Sequence, residues 1–412
     1  MAKHGWAFRT FDSMLRAGTV LVFGALLGCS DSEGDSVKKF KIGLLLPYTG
    51  ANSGTATNFE RAVHLAVGRV NDSGGVQGRE LEIIAADTHS DVDRAVKSVK
   101  KLIDEEVVIV VGPESSEVAD AIAPILHEKD VVFLSPLVGA ANDQAYDCTD
   151  WWFRLAPSAR SLGEAVAKRL DADGATRTTI LHAEGTYNDA FQTAVARRFK
   201  SLGGTVTAEV ALDPNAQSYD KVVSGVLASG VETVVLAASP RTAALVVNEF
   251  SVTTKHPPTW YLSPLLKTEL LLQNVMSHSL DGALGVAPKI YNTSKDFPDA
   301  FAKRWSGDTP LEGAYFYYDA IALLALALEK AELEDGKLER SAFEAAIHDA
   351  AAPPGEAVGW NQLEVGLKRM SKGDNIYYSG LTGPMLLDDC GPRRTGTTSV
   401  WSIEDDEIVI LE

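Results

Sequence analysis

The sequence predicts an α/β fold built from two doubly wound parallel sheets, each in its own lobe. Strand-like and helix-like segments alternate along residues 40–134 and again along residues 178–262, which is the order of a parallel sheet wrapped by helices. Beyond a short N-terminal stretch, the chain leaves a body of about 370 residues, more than one hydrophobic core usually serves. These observations together predict two lobes of the same class.

The first array opens with a short apolar strand that ends at Pro47. Five consecutive β-branched residues at 107–111 are typical of a strand buried on both faces. Apolar residues at helical spacing predict the connecting helices, and Ser73-Gly74-Gly75 ends the first of them. The predicted order is strand 40–47, helix 58–71, strand 80–86, helix 92–105, strand 107–111, helix 118–129 and strand 131–134.

A second array repeats the pattern after a division near residues 151–157. Its predicted strands are 178–182, 205–210, 233–237 and 259–262, and its predicted helices are 190–202, 219–229 and 242–250. The remaining predictions are a strand at 284–287, helices at 297–304, 315–331 and 341–349, a surface loop at 351–359 and strands within 400–411.

The N-terminus predicts an export signal. Lys3, Arg9 and Arg16 give it a positive start, and an apolar stretch of about 11 residues follows, which is too short to cross ~30 Å of hydrocarbon. The segment that closes this stretch, Leu26-Leu27-Gly28-Cys29, resembles the lipobox of bacterial lipoproteins.

The lipobox resemblance implies that residues 1–28 are removed and that the Cys29 thiol takes a diacylglyceryl group. An ordinary secretory signal with an incidental cysteine is the alternative. Residues 29–39 are small, polar and charged, and they predict a flexible tether. Ser30 directly after the cysteine favours the outer membrane, although Asp31 is close.

The chain is acidic, with a formal net charge of −18 at pH 7. The signal contributes a charge of +2, so the mature chain carries about −20. Nucleic acids and anionic membrane surfaces need positive stripes, so this acidity argues against both as partners. With Cys29 lipidated, Cys148 and Cys390 remain as an even pair in an oxidising compartment. A disulfide between them is predicted, with two free buried thiols as the alternative.

Several motifs follow one another along the body of the chain. They are the opening strand at 41–50, the turn at 70–79 (VNDSGGVQGR), the segment at 111–116 (VGPESS), the strand end at 134–136 (LSP), Tyr187, and the segment at 383–391 (GPMLLDDCG). In this order and spacing they resemble the type I periplasmic binding proteins, in particular the branched-chain amino acid (Leu/Ile/Val) receptor group of ABC importers.

The resemblance implies that the chain crosses three times between its lobes. Lobe 1 is then formed by residues 38–154 and 285–382, and lobe 2 by residues 155–284 and 383–412. The implied hinge strands lie near residues 152–156, 284–288 and 381–387.

Ligands of open α/β sheets bind beyond the carboxyl ends of the strands, so the loops there are the candidate site. Ser115 and Ser116 open a helix, where hydroxyl and free N–H groups suit a carboxylate. The resemblance assigns the ligand's carboxylate to these serines, and helix capping is their alternative role. It also implies ligand contacts in the loop after the next strand, at Ser135, Pro136, Leu137 and Gly139. Gly139 stands at the position of a threonine, so one anion contact is missing. A plain strand-ending turn is the alternative for Ser135 and Pro136.

From the second lobe, Tyr187 matches a tyrosine that closes over the ligand, with lobe packing as its alternative role. Ser239 stands where the family often has an aromatic residue, which predicts a wider pocket. On the first lobe, Thr55 or Thr57 is a candidate contact, and helix capping is the competing role.

The loop after strand 259–262 departs most from the amino acid receptors. The resemblance places an acidic residue there for the ligand's ammonium, and this chain has Leu265. A buried ammonium without a counter-charge costs several kcal/mol. Either Glu114 or Asp189 supplies that charge, or the ligand is not an α-amino acid, and the sequence analysis favours the second. Lys267 nearby would favour an acidic ligand if it lined the pocket, but an exposed lysine is expected.

The sequence carries no motif of nucleophilic, metal or phosphate-loop chemistry, so we expect no enzyme activity, no cofactor and no metal site. The resemblance implies an extracytoplasmic, lipid-anchored binding protein that delivers a small polar or carboxylate-bearing molecule to an ABC permease. A sensor that regulates a membrane or envelope partner without transport is the alternative, because the fold is the same for both.

Overall fold

The computed structural model describes residues 39–139, 151–331, 333–334, 337–387 and 398–411. The predicted signal peptide, Cys29, and the predicted Cys148–Cys390 pair lie outside these residues. Within the described ranges, no helix is long and apolar enough to cross a membrane.

The first part of the body forms a parallel sheet with helices on both faces. Its elements are β1 (Phe40–Leu46), α1 (Ala56–Asp72), β2 (Leu81–Asp87), α2 (Val92–Asp104), β3 (Ile109–Val111), α3 (Ser116–Glu128), β4 (Val132–Ser135) and β5 (Trp152–Arg154). The strand order is β2-β1-β3-β4-β5. β1, β3 and β4 are buried almost throughout, which explains their continuous apolar sequences.

The next part forms most of a second sheet. Its elements are α4 (Ala159–Ala172), β6 (Arg177–Ala183), α5 (Thr186–Ser201), β7 (Thr205–Leu212), α6 (Asp220–Ala228), β8 (Thr233–Ala237), α7 (Pro240–Thr253), β9 (Thr259–Leu262), α8 (Glu269–Leu272) and β10 (Leu284–Pro288). All pairings among β6 to β10 are parallel.

The chain then returns to the first sheet. The elements here are α9 (Asp296–Arg304), α10 (Glu312–Lys330), β11 (Leu333–Glu334), β12 (Lys337–Leu338), α11 (Arg340–Ala351), β13 (Glu356–Val358), α12 (Leu363–Met370), β14 (Ile376–Gly380) and β15 (Gly383–Pro384). Residues 316–328 of α10 are buried on every side, as expected of a helix that is apolar around its circumference. α10 shares one hydrophobic core with α1 and the first sheet.

A single carboxylate, Asp319, lies inside this apolar helix and holds the turn between β14 and β15. It accepts hydrogen bonds from the Tyr378 hydroxyl at 2.6 Å, the Leu381 N–H at 2.9 Å, the Thr382 N–H at 2.7 Å and the Thr382 hydroxyl at 2.8 Å. Burial raises the pKa of Asp319, and these donors oppose that rise. The carboxylate therefore fixes the backbone where the chain leaves the first lobe.

Two C-terminal strands complete the second sheet. They are β16 (Thr398–Glu404) and β17 (Glu407–Ile410), both antiparallel to their neighbours. The order of that sheet is β17-β16-β10-β9-β8-β6-β7. The chain thus passes between the sheets after β5, after β10 and before β16. The predicted fold class of two doubly wound lobes is confirmed.

The prediction of a surface loop at 351–359 is wrong for residues 356–358, which form β13 and pair with β14. β13 has only three residues, and its partner strand begins at Ile376. No local sequence pattern therefore indicates this strand. α12 is also absent from the predicted helices. Its buried residues Leu363, Gly366, Leu367 and Met370 follow a helical spacing, so the signal was present in the sequence.

Candidate functional site

The candidate site lies where the carboxyl ends of the two sheets meet. On the first lobe it comprises the loops after β1, β3 and β4. On the second lobe it comprises the loops after β6, β8 and β9. Two described contacts join these edges: Glu117 reaches the start of α5, and Gly139 lies against Tyr187. The edges therefore face each other across a cleft.

The start of α3 holds both predicted serines. The Ser115 hydroxyl accepts the Val118 N–H at 3.3 Å and donates to Glu117 Oε2 at 2.9 Å. Ser116 is the first residue of the helix and is buried. The capping role of Ser115 is therefore present.

Glu117 connects this helix to the second lobe. Its Oε1 atom accepts the Thr186 N–H at 2.9 Å, at the N-terminus of α5. A carboxylate at that position accepts a hydrogen bond from an otherwise unpaired N–H group and interacts favourably with the positive end of the helix dipole. α5 follows Gly185, which has a φ of +143°, and its end lacks a side-chain cap of its own. This contact is not among the predictions from the sequence.

The loop after β4 is mostly held by its own lobe. The Ser135 hydroxyl is fully buried, accepts the Trp152 Nε1–H at 2.9 Å and faces the Gly112 carbonyl at 3.4 Å. Pro136 is buried and Leu137 is half-buried. Ser135 therefore ties β4 to β5 and to the loop before α3, and a strand-end role accounts for its contacts.

Gly139 and Tyr187 meet across the cleft. A Cβ atom at Gly139 would lie 2.9 Å from Tyr187 Cε2 and 3.2 Å from the Pro157 carbonyl oxygen. The Gly139 carbonyl also accepts the Ala159 N–H at 2.6 Å. Tyr187 lies in the first turn of α5 and stacks on Phe191, with 6.4 Å between ring centroids. Burial raises its pKa, so the ring fills the interlobe space as a neutral phenol.

The remaining predicted contacts lie at the rim. Ser239 is exposed, and its hydroxyl caps α7 by accepting the Thr242 N–H at 3.3 Å. Leu265 lies in a single 3-10 turn and is 45% exposed. Thr55 precedes α1, but its hydroxyl faces the Asn52 carbonyl at 3.4 Å and does not cap the helix. The capping alternative for Thr55 is therefore not supported.

Lys267 differs from its prediction. Its side chain is only 7% exposed, and its ammonium forms an ion pair with Glu312 at the start of α10. The expectation of an exposed lysine is wrong, because the partner lies on the other lobe and 45 residues away. This pair is a further polar link between the lobes.

Three side-chain oxygen atoms on the first lobe are shielded from solvent and form no hydrogen bond with the described residues. They are the Tyr48 hydroxyl, Glu114 Oε2 and the Tyr317 hydroxyl. Burial raises the pKa of Glu114 to about 7, against the lowering effects of its own N–H and of Asn52. Burial, then the charge of Glu114, then Tyr48 raise the pKa of Tyr317, which places the three groups together. Tyr317 is not among the predicted site residues, because it lies far along the chain within an apolar helix.

The second lobe also has shielded polar atoms without a hydrogen bond to a described residue, among them those of Asn188, Gln192 and Ser263. The Ser263 hydroxyl is buried and forms no hydrogen bond with any residue in the described ranges. His182 Nδ1 lies 3.4 Å from Asp189 Oδ1, whose side chain is 54% exposed. The cleft therefore pairs a carboxyl group and two phenols on one side with an imidazole, a hydroxyl and the Tyr187 ring on the other.

This fold and site define a class of binding protein. The chain belongs to the periplasmic binding protein family, whose sequence profile matches residues 39–355. The family consists of extracytoplasmic, non-enzymatic substrate-binding proteins. Within it, the chain is similar to the branched-chain amino acid receptors of type I, as predicted.

Individual relatives agree with this assignment. The crystal structure of the leucine-binding protein LivK from Thermotoga maritima MSB8 has a TM-score of 0.74 and 19% identity, covering 90% of this chain and 97% of that one. A solute-binding protein from R. palustris in complex with benzoate has a TM-score of 0.72 and 18% identity, covering 91% of this chain and 96% of that one. At these identities the likeness is one of fold.

A curated relative adds a different setting. The substrate-binding protein BasB of a chemotactic signal transduction system in Halobacterium salinarum is 27% identical over 217 residues, or 50% of this chain and 52% of that protein. The chain spans about half the length of the first curated relatives that it matches.

Proposed function

We propose that the protein is a lipid-anchored solute-binding protein that closes its two lobes around a small polar or carboxylate-bearing molecule and delivers it to an ABC permease. The observation that carries the proposal is the meeting of Tyr187 with Gly139 across the cleft, at the edge where α3 also begins. A ligand held there contacts both lobes only when they are closed, so binding stabilises the closed form.

The ligand class follows from the groups that line the cleft. The α3 N-terminus with Ser115 and Ser116 suits a carboxylate, and the Tyr187 ring suits an apolar or aromatic body. The related proteins named above bind leucine or benzoate, and both are small carboxylates. The site residues proposed here are Ser115, Ser116, Pro136, Leu137, Gly139 and Tyr187, with Ser135 behind them and Thr55, Ser239 and Leu265 at the rim.

A thermal-shift screen tests this function. The full chain in mild detergent is incubated with amino acids, aliphatic and aromatic carboxylates, and amides. A ligand at 100 times its dissociation constant stabilises the protein by about 2.7 kcal/mol. We expect at least one of these classes to raise the melting temperature, Tyr187→Ala to abolish the rise, and Tyr377→Ala on β14 to retain it. If no small molecule stabilises the wild-type chain, the proposed function is wrong.

The lipid anchor is tested separately. We expect metabolic labelling with palmitate in a bacterial host to mark the wild-type chain and not Cys29→Ser, and the variant to leave the membrane fraction. Equal labelling of both chains would contradict the proposed attachment site.

A sensory role is the second candidate, favoured by the similarity to the chemotactic binding protein of Halobacterium salinarum. The two functions separate once a ligand is known. Loss of cellular uptake of that ligand on deletion of the gene supports import. Intact uptake with loss of a transcriptional or behavioural response supports sensing.

A further inference from the structure

We propose that His278, Asp281 and Asp405 on the second lobe form a binding site for a divalent metal ion such as zinc. Each residue offers one ligand atom, and the imidazole nitrogen and two carboxylate oxygens all lie within 4.8 Å of one another. The three side chains are exposed, so an ion reaches them directly from solvent. The site goes beyond the proposed solute-binding function and does not depend on it.

The three donors lie at the end of the second sheet that is remote from the cleft. Asp405 is in the two-residue turn between β16 and β17, and Asp281 lies in the loop that leads into β10. Where β10 pairs with β16, Leu284 at the start of β10 lies opposite Ser402. The donors are therefore at the amino edge of the parallel strands, whereas solutes bind at the carboxyl edge.

A fourth residue, Asp406, fastens the turn to the loop. Its carboxylate accepts the Ser277 hydroxyl and, at 2.8 Å, the His278 N–H. Its own N–H donates to Asp281 Oδ1 at 3.4 Å, across 125 residues of sequence, which explains why no local motif predicts the site. These contacts hold the backbone that carries the donors, as supporting contacts around metal ligands do.

The local charge favours a cation. Within the described ranges, no lysine or arginine forms an ion pair with Asp281, Asp405 or Asp406, and the basic partner of Asp281 is His278, whose Nδ1 lies 2.7 Å from Oδ2. The Asp405 carboxylate forms neither a hydrogen bond nor an ion pair with a described residue. Three carboxylates thus surround one imidazole in a chain of net charge −18, and a divalent cation relieves their mutual repulsion.

A hydroxyl group in the same loop also lacks a partner. Ser279 lies between His278 and Asp281, and its Oγ atom is shielded from solvent without a hydrogen bond to any residue that the structure describes. A shielded polar atom of this kind calls for a water molecule or an ion nearby. This observation is independent of the three donors and points to the same loop.

The donor set selects the class of metal. An imidazole nitrogen together with carboxylate oxygens suits zinc and its neighbours cobalt and nickel, whereas calcium and magnesium prefer oxygen ligands alone. Three protein ligands leave the fourth position of a tetrahedral zinc ion to water. The expected order of affinity is therefore zinc well above magnesium and calcium.

Calorimetric titration with zinc chloride tests the site on the full chain in mild detergent, after removal of bound metal with a chelator. We expect His278→Gln and Asp405→Asn each to weaken the binding of zinc at least about tenfold relative to wild type. His256→Gln and Glu407→Gln are the matched controls, because they remove an exposed histidine of the same lobe and an exposed carboxylate of the same hairpin. Calcium and magnesium should not displace the zinc.

X-ray absorption spectroscopy of the zinc-loaded chain gives a readout that a merely structural role would not change. We expect one imidazole and otherwise oxygen atoms around the ion, and loss of the imidazole signal in His278→Gln. Zinc should also raise the melting temperature of wild type and not that of Asp405→Asn, because the bound ion joins the β16–β17 turn to the loop before β10.

Several results would overturn the site. They are absence of zinc binding by wild type, equal affinity in wild type, His278→Gln and Asp405→Asn, or sulfur atoms around the ion. A tenfold loss in Glu407→Gln would do the same, since it would assign the effect to net charge. Each of these results leaves the solute-binding function standing.

Discussion

Glu117 on the first lobe accepts the Thr186 N–H of the second lobe at 2.9 Å, while its other oxygen accepts the Ser115 hydroxyl at 2.9 Å. One carboxylate thus joins the proposed carboxylate-binding helix end to the start of the helix that carries Tyr187. Closure of the lobes brings these groups together, so the contact contributes to the free energy of closing.

Replacing Glu117 tests that contribution. Glu117→Ala leaves the N-terminus of α5 without its carboxylate, and such an interaction is worth about 0.3–1 kcal/mol. We expect a loss of ligand affinity of about two- to fivefold, measured by calorimetry. Glu128→Ala, at the other end of α3, is the control. A loss of the same size in the control would assign the effect to helix stability.

The ion pair between Lys267 and Glu312 leads to a prediction on lobe opening. Glu312→Gln leaves the nearly buried Lys267 ammonium without its counter-charge, a penalty of about 1 kcal/mol for a pair whose partner is half exposed. We expect the ligand-free variant to have a larger radius of gyration by small-angle X-ray scattering. Glu209→Gln, whose pair with Lys200 is confined to the second lobe, should leave the scattering unchanged. Identical curves for Glu312→Gln and wild type would speak against a link between the lobes.

The buried Asp319 leads to a prediction on stability. Asp319→Ala leaves two backbone N–H groups and two hydroxyl groups without their acceptor, which costs roughly 3–5 kcal/mol in a buried network. Urea unfolding should show this loss, and Asp319→Asn should recover part of it. Asp349→Ala on α11, whose side chain is 72% exposed, should change stability little. A loss below about 1 kcal/mol would mean that the turn repacks.

Glu114 predicts a pH dependence of unfolding in the absence of ligand. Its folded pKa of about 7 exceeds the ordinary value of 4.5, so the folded state binds more protons between these values. Its contribution to stability is therefore full below pH 4.5 and is lost as the pH rises through 7. The stability of Glu114→Gln relative to wild type should increase by about 2–3 kcal/mol between pH 5 and pH 8. Parallel stability curves for the two proteins would exclude a raised pKa.

Gly139 predicts a steric effect on the cleft. In Gly139→Ala the new methyl group lies 2.9 Å from Tyr187 Cε2, so the ring must move away or the lobes must close less far. We expect a weaker ligand affinity with little change in the stability of the ligand-free protein. Gly225→Ala on α6 has open space around the new atom and should leave binding intact. Unaltered affinity in Gly139→Ala would show that Tyr187 does not pack there in the bound form.

The alternation of strands and helices made most of the fold predictable. Strands 233–237 and 259–262 coincide with β8 and β9, because buried parallel strands are short apolar runs between turns. The start of α5 was harder to place. The helix begins at Thr186 after the positive-φ Gly185, four residues before the predicted start, since its first turn is polar and lacks apolar periodicity.

The site was predictable only where it follows strand ends. Ser115 and Gly139 lie in loops that any parallel sheet places at its carboxyl edge. Tyr317 and the partnership of Lys267 with Glu312 depend on α10, which returns to the first sheet after the whole second array. Contacts of that kind join segments with no common local pattern, so the sequence alone does not indicate them.

The pairing of β10 with β16 has a consequence for biosynthesis. In this pairing Leu284 lies opposite Ser402 and Pro288 opposite Thr398. The edge of β10 that faces β16 therefore has no partner strand until more than a hundred further residues have been synthesised. An exposed strand edge invites pairing with other chains.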